Sequence, residues 1–159
     1  MAAANVLNHD FRSSGPNQKW ATDVTEFKVL GQKQYLSPVI DLFNGEVISY
    51  ELASSAVLAL VANMLDKAFL KFDAEQRPII HSDQGWHYRH LSYQKALAKP
   101  GLIQSMSRKG NCLDNAVAEN FFGHFKEEFL RQQTFNSISH FKAELDGYLN
   151  SLNNNRMKL

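Results

Sequence analysis

Asp23, Asp83 and Glu119 are the residues of this chain whose types and settings point most directly to chemistry. Asp23 lies in Trp20-Ala-Thr-Asp-Val-Thr-Glu26, inside an otherwise strand-like run, and aspartate is depleted in strands. Asp83 closes the short apolar segment of Ile79-Ile-His-Ser-Asp-Gln-Gly85, and Glu119 follows after 35 intervening residues, beside a phenylalanine-rich helical stripe. None of these local elements needs a carboxylate. Carboxylates that a fold brings together repel one another, and such a cluster is tolerated chiefly when a cation neutralises it. Three hard oxygen donors suit Mg²⁺ or Mn²⁺. Ions held in this way drive in-line displacement at phosphorus.

A second set of residues would face a nucleic-acid backbone. Ser107-Arg-Lys-Gly-Asn111 is a short basic loop ahead of a helix. Backbone N–H groups at such a helix start favour phosphate, and Arg108 and Lys109 add positive charge next to Asn111. On the helix that follows, Asn115, Glu119, Gly123 and Lys126 form one polar stripe. The expected DNA-binding residues are therefore Arg108, Lys109, Asn111, Asn115 and Lys126.

Other polar residues read as structural. His81, His87 and His90 lack a standard zinc spacing and have no cysteine partners. His81 is expected to order the backbone behind Asp83, and His87 to be a loop or substrate-side residue. Asp41 reads as a turn residue and Asp114 as a helix cap. Trp20 and Trp86 flank the two aspartate motifs, where packing is favoured over base stacking. Cys112 has no basic partner that would make it a reactive thiolate.

The elements that must position these groups can be read from periodicity. Residues 1–18 read as an N-terminal arm or linker and residues 19–159 as one catalytic core. Three strands are expected over Lys19 to Val29, Gln34 to Phe43 and Glu46 to Leu52, with Gly31 and Asn44-Gly45 marking the turns. A helix is expected from Ala56 to Phe72, capped by Ser54 or Ser55. The strand Ile79-Ile80 leads into Asp83. A short helix from Ser92 to Ala98, a strand from Leu102 to Met106 and helices over Leu113 to Leu130 and Ser139 to Leu152 complete the order. Phe121, Phe122, Phe125 and Phe129 would pack the first of these last helices onto the sheet.

Composition bounds the answer further. The apolar share of 44% and the charged share of 21% are ordinary for a globular domain of 159 residues. No segment reads as a transmembrane helix or a signal peptide, and a cytoplasmic location follows. One cysteine rules out an internal disulfide. A net charge of +1 is low for a stand-alone DNA-binding domain.

Together these motifs resemble the bacterial insertion-sequence branch of the DDE transposases, relatives of the retroviral integrases. The wording of Pro16 to Glu26, of His81-Ser-Asp-Gln-Gly85, of Ser107 to Ala116 and of Asn153-Asn-Asn-Arg-Met-Lys158 carries the resemblance, as does the spacing of the three carboxylates. It implies an α/β ribonuclease H-like fold, a five-stranded mixed sheet flanked by helices. It implies DNA transposition by metal-dependent hydrolysis and strand transfer at transposon ends. Asp23 would bridge two Mg²⁺ or Mn²⁺ ions, with Asp83 and Glu119 completing one site each. The implied partners are transposon-end and target DNA and further copies of the chain, with no membrane. End-binding regions would lie upstream of this catalytic domain. Two alternatives stay open: a ribonuclease H-like nuclease without joining activity, and a catalytically silent DNA-binding or oligomerisation remnant.

Overall fold

The computed structural model describes residues 15–71, 78–83, 85–98, 100–106 and 116–157. Six strand segments form one sheet: β1 (Lys19–Thr22), β2 (Thr25–Val29), β3 (Gln32–Asp41), β4 (Val47–Ala53), β5 (Ile79–Ser82) and β6 (Ile103–Met106). The expectation of five strands is corrected by a single break. β1 and β2 pair with the same side of β3 in one continuous antiparallel register, with Thr22 opposite Val39 and Thr25 opposite Leu36. That register places the missing step, Asp23–Val24, opposite Ser37–Pro38. Proline has no N–H to give to a ladder. The carbonyl of Pro38 accepts instead from the Thr22 hydroxyl at 2.8 Å.

β1 also runs parallel to β5, and β5 parallel to β6, with β4 on the outer side of β3. The sheet is thus antiparallel on one side and parallel on the other. Tight turns punctuate the antiparallel half. Leu30 and Gly31 both adopt positive φ, 54° and 75°, which is the two-residue hairpin geometry whose twist matches the flanking strands. Leu30 is an unusual occupant of that region.

The helices are α1 (Leu58–Ala68), α2 (Trp86–Arg89), α3 (Leu91–Ala98), α4 (Ala116–His124) and α5 (Ile138–Met157), with a π-helical stretch at Phe125–Leu130. Two expectations change here. The α1 N-cap is Val57, with no side-chain cap bond, rather than Ser54 or Ser55. The long helix expected to reach Leu130 widens into π geometry from Phe125. There the Arg131 N–H reaches back five residues, to the Lys126 carbonyl.

Each face of the sheet carries its own core. On one side Trp20, Val39, Val61, Met64, Leu65 and Ile80 pack with Tyr88, Tyr93 and Leu97 of α2 and α3. On the other, Phe27, Leu36 and Ile40 meet the phenylalanine stripe and Phe141, Leu145 and Leu149 of α5. The stripe packs as expected. Phe27 meets the rings of Phe125 and Phe141 edge-on at 5.3 and 5.7 Å. Each fully buried phenylalanine contributes about 2–3 kcal/mol over an exposed one, so this stripe fixes the path of α4 over the sheet.

Candidate active site

Asp23 and Asp83 are brought together by strand register. β1 and β5 are neighbours in parallel, with Ala21 beside His81. Two residues further on, at the carboxyl ends of both strands, Asp23 therefore falls beside Asp83. Ligand sites of open α/β sheets form at these strand ends. By strand alternation Asp23 shares a face with Ala21, Thr25 and Phe27, the face that α4 covers.

The two side chains are in contact, and both are partly buried. Each accepts one local backbone bond: Val24 N–H donates to Asp23 Oδ1 at 2.8 Å, and Gly85 N–H donates to Asp83 Oδ1 at 2.8 Å. Burial is the main cause that raises the Asp23 carboxyl from 3.8 to about 7, and the Asp83 carboxylate is the next. The Val24 N–H opposes the rise, while Glu119 adds a smaller upward push. A buried carboxylate raised by a second carboxylate is a site short of positive charge. Its donor set, oxygen atoms alone, fits a hard divalent cation.

Gly85 makes room for this arrangement. Its φ of −54° is open to any residue, but a Cβ there would stand 2.9 Å from Asp83 Oδ1 and 3.5 Å from the Tyr88 ring. Tyr88 carries no signal in the sequence that would place it at the pair. Its ring is fully buried beneath the pair; burial, and then Asp23, push its hydroxyl well above its usual range.

Glu119 lies in the first turn of α4, exposed, and its charge is felt at Asp23. It does not close onto the aspartates. Among the described residues no three histidine, cysteine or acidic side chains stand close enough to hold one ion. Gly123 leaves open space beside it on the same helix. Lys126 sits at the start of the π-helical stretch, so the helical phase that aligned it with Glu119 holds only as far as His124. Arg108, Lys109, Asn111 and Asn115, and with them Cys112 and Asp114, lie outside the described residues.

The histidines do other work. His81 is buried and its Nδ1 shares a hydrogen bond with Ser105 Oγ at 2.8 Å, tying β5 to β6 behind Asp83. His87 is corrected: it is buried rather than substrate-facing, and its Nε2 bonds the Ala56 carbonyl at 3.1 Å. Asp41 is the turn residue expected. It is fully buried and accepts the N–H groups of Asn17 and Phe43, each at 2.9 Å. Trp20 is core, as expected, while Trp86 is 55% exposed.

Residues 13–112 match the family model described as integrase core domain, and residues 119–159 match a second model of the same description. The chain is 54% identical, over 99% of its length, to a protein of Escherichia coli strain K12 named as transposase InsK for insertion sequence element IS150, and covers 56% of it. It is 42% identical, over 98% of its length, to an uncharacterized transposase-like protein of Haemophilus influenzae, and covers 72% of that one. Its fold matches the catalytic domain of Mos1 transposase, solved with raltegravir and magnesium, at a TM-score of 0.65 and 18% identity; the match covers 84% of this chain and 71% of that one. Relative to the IS150 protein, the chain spans little more than half the length. Among the described residues, no helix is long and apolar enough to cross a membrane.

Proposed function

The chain belongs to the integrase core domain family of insertion-sequence transposases, and from that premise we propose that it is the catalytic core of an enzyme that cuts and joins DNA at transposon ends. The observation that carries this reading is the contact between Asp23 and Asp83 at the ends of two parallel strands, with Glu119 on α4 near enough for its charge to be felt at Asp23. The pair would hold a divalent cation, Mg²⁺ or Mn²⁺, and magnesium accompanies the Mos1 catalytic domain. Such an ion supplies Lewis-acid activation of a phosphodiester and of the oxygen that attacks it. In the active complex Asp23, Asp83 and Glu119 would together hold the ions, two of them by this reading.

The chain's own residues set up that chemistry. Val24 and Gly85 N–H groups each fix one carboxylate oxygen and leave the other for a ligand. The buried Tyr88 ring closes off the floor beside the pair. Glu119 completes the set by moving in from α4. Arg108, Lys109, Asn111, Asn115 and Lys126 are assigned to the DNA backbone. Two ends must meet for transposition, so the working assembly is proposed to be a homo-oligomer formed on DNA, in the cytoplasm.

The test is a pre-nicked transposon-end duplex incubated with the full-length transposase and Mg²⁺. Strand-transfer products are expected. Cutting without joining would replace this reading with a nuclease of the same fold. Neither product, together with no Mn²⁺-induced rise in the thermal midpoint of this chain, would leave only the silent binding remnant.

A further inference from the structure

Trp86 is the one large aromatic side chain among the described residues that opens α2 beside the carboxylate pair and still keeps 55% of its surface in solvent. The chain's other tryptophan, Trp20, is fully buried. We propose that Trp86 is a stacking platform for a nucleobase at the rim of the Asp23–Asp83 site, and that its ligand is an unpaired or frayed base of the bound DNA strand.

Three observations support this. The indole lies on the His87 ring at 4.0 Å between centroids and 28° between planes. His87 is itself buried, and its Nε2–H donates to the Ala56 carbonyl at 3.1 Å. The two rings therefore form a fixed post rather than a loose surface side chain: one indole face is covered and held, and the other is presented. Lastly, the platform is tied to the site. Gly85, the residue before Trp86, donates its N–H to Asp83 Oδ1 at 2.8 Å. A phosphodiester held at the pair thus has its flanking base within reach of the indole. An aromatic face accepts any base, because every base has a π-face.

The proposal rests on the reading that the pair acts on DNA, and its test separates the two. This chain is titrated at low salt with a single-stranded oligonucleotide carrying a dye, so that binding is read from dye anisotropy and stacking from tryptophan emission. Trp20 is sealed in the core, so emission that changes on binding reports Trp86. Saturable quenching that follows the anisotropy curve is expected. Trp86→Ala should weaken binding about five- to hundred-fold, the usual loss for one stacked base. Its salt slope should match the parent's, because no phosphate contact is removed. Trp86→Phe keeps a ring and should retain most of the affinity; both variants should keep the parent's circular dichroism spectrum. Unchanged affinity in Trp86→Ala, or parent binding without quenching, would overturn the platform and leave the DNA reading intact. A parent that binds no DNA would overturn both. Emission that instead varies with protein concentration in the absence of DNA would assign this face to a second copy of the chain and overturn the proposal.

Discussion

Asp41 and the Asp23–Asp83 pair stand at opposite ends of the same strands, and their surroundings differ in kind. Asp41 lies beside Trp20 at the start of β1 and is wholly buried, yet both of its oxygens accept backbone N–H groups. Its charge is answered by the protein itself. Asp23 and Asp83 are less buried, but each accepts one such bond and then faces the other carboxylate. Burial alone does not mark a functional acid. What marks it is a carboxylate whose second oxygen is aimed at like charge, which stays unfavourable until a cation arrives.

Substitutions at the two ends should separate these roles. Asp83→Asn should lower DNA cleavage by the full-length protein by roughly 10²–10⁴-fold, since metal activation is worth several kcal/mol. Its unliganded thermal midpoint should stay level or rise, because a repulsion is relieved. Cleavage within a few-fold of the parent would remove Asp83 from the site. Asp41→Ala should do the reverse: two partly buried N–H groups lose their acceptor, at about 1–3 kcal/mol of stability by denaturant titration. A stability unchanged by Asp41→Ala would erase the contrast between the two ends.

A smaller effect sharpens the comparison on the carboxylate side. In Gly85→Ala the new Cβ would crowd Asp83 Oδ1. Affinity for Mn²⁺ by calorimetry should fall roughly ten-fold, as for other residues that orient a ligand. The backbone conformation there suits alanine, and the Asp83 side chain can swing away from the new Cβ, so unliganded stability should change by less than about 1 kcal/mol. A loss of stability with metal affinity intact would show that Gly85 serves the chain path alone.

A further effect concerns pH. The folded state holds the Asp23 proton more tightly than the unfolded chain, up to about 7 against 3.8. That stabilisation is complete below the unfolded value and is lost as pH rises through 7. The metal-free chain should therefore lose stability between about pH 4 and 7, by at most about 1.4 kcal/mol per pH unit from this group. Saturating Mg²⁺ should flatten the slope. A slope of the same size in Asp23→Asn would assign it elsewhere.

The meeting of Asp23 and Asp83 and most of the element order were legible because they obey local rules. Asp23 breaks a strand pattern, Asp83 ends one, and the phenylalanine stripe has helical period. The misreadings share a cause: each depends on a partner distant in sequence. Nothing within residues 19–29 shows that the ladder lapses, because the reason is Pro38 on the facing strand. The π-helical stretch opens at Phe125, whose ring packs against Phe27 of β2 and Tyr148 of α5, partners that the 3.6-residue period does not contain. His87 was misplaced because its acceptor is the Ala56 carbonyl, 31 residues away. Tyr88 and Gly85 went unread because one lies under the site and the other serves it by having no side chain.

The β1–β5 register has a kinetic consequence. Asp23 and Asp83 are joined by parallel pairing across the whole of the antiparallel strands and α1, so closing that long loop must precede any rewarding contact. No local fragment presents both acids. A divalent cation held by the proposed pair would therefore bind only after the sheet has assembled. It should slow unfolding and leave the refolding rate unchanged, which is the behaviour of a contact absent from the folding transition state. Magnesium would then act on this domain as a lock applied after closure rather than as a guide to it, and its effect would appear as a longer lifetime of the folded form.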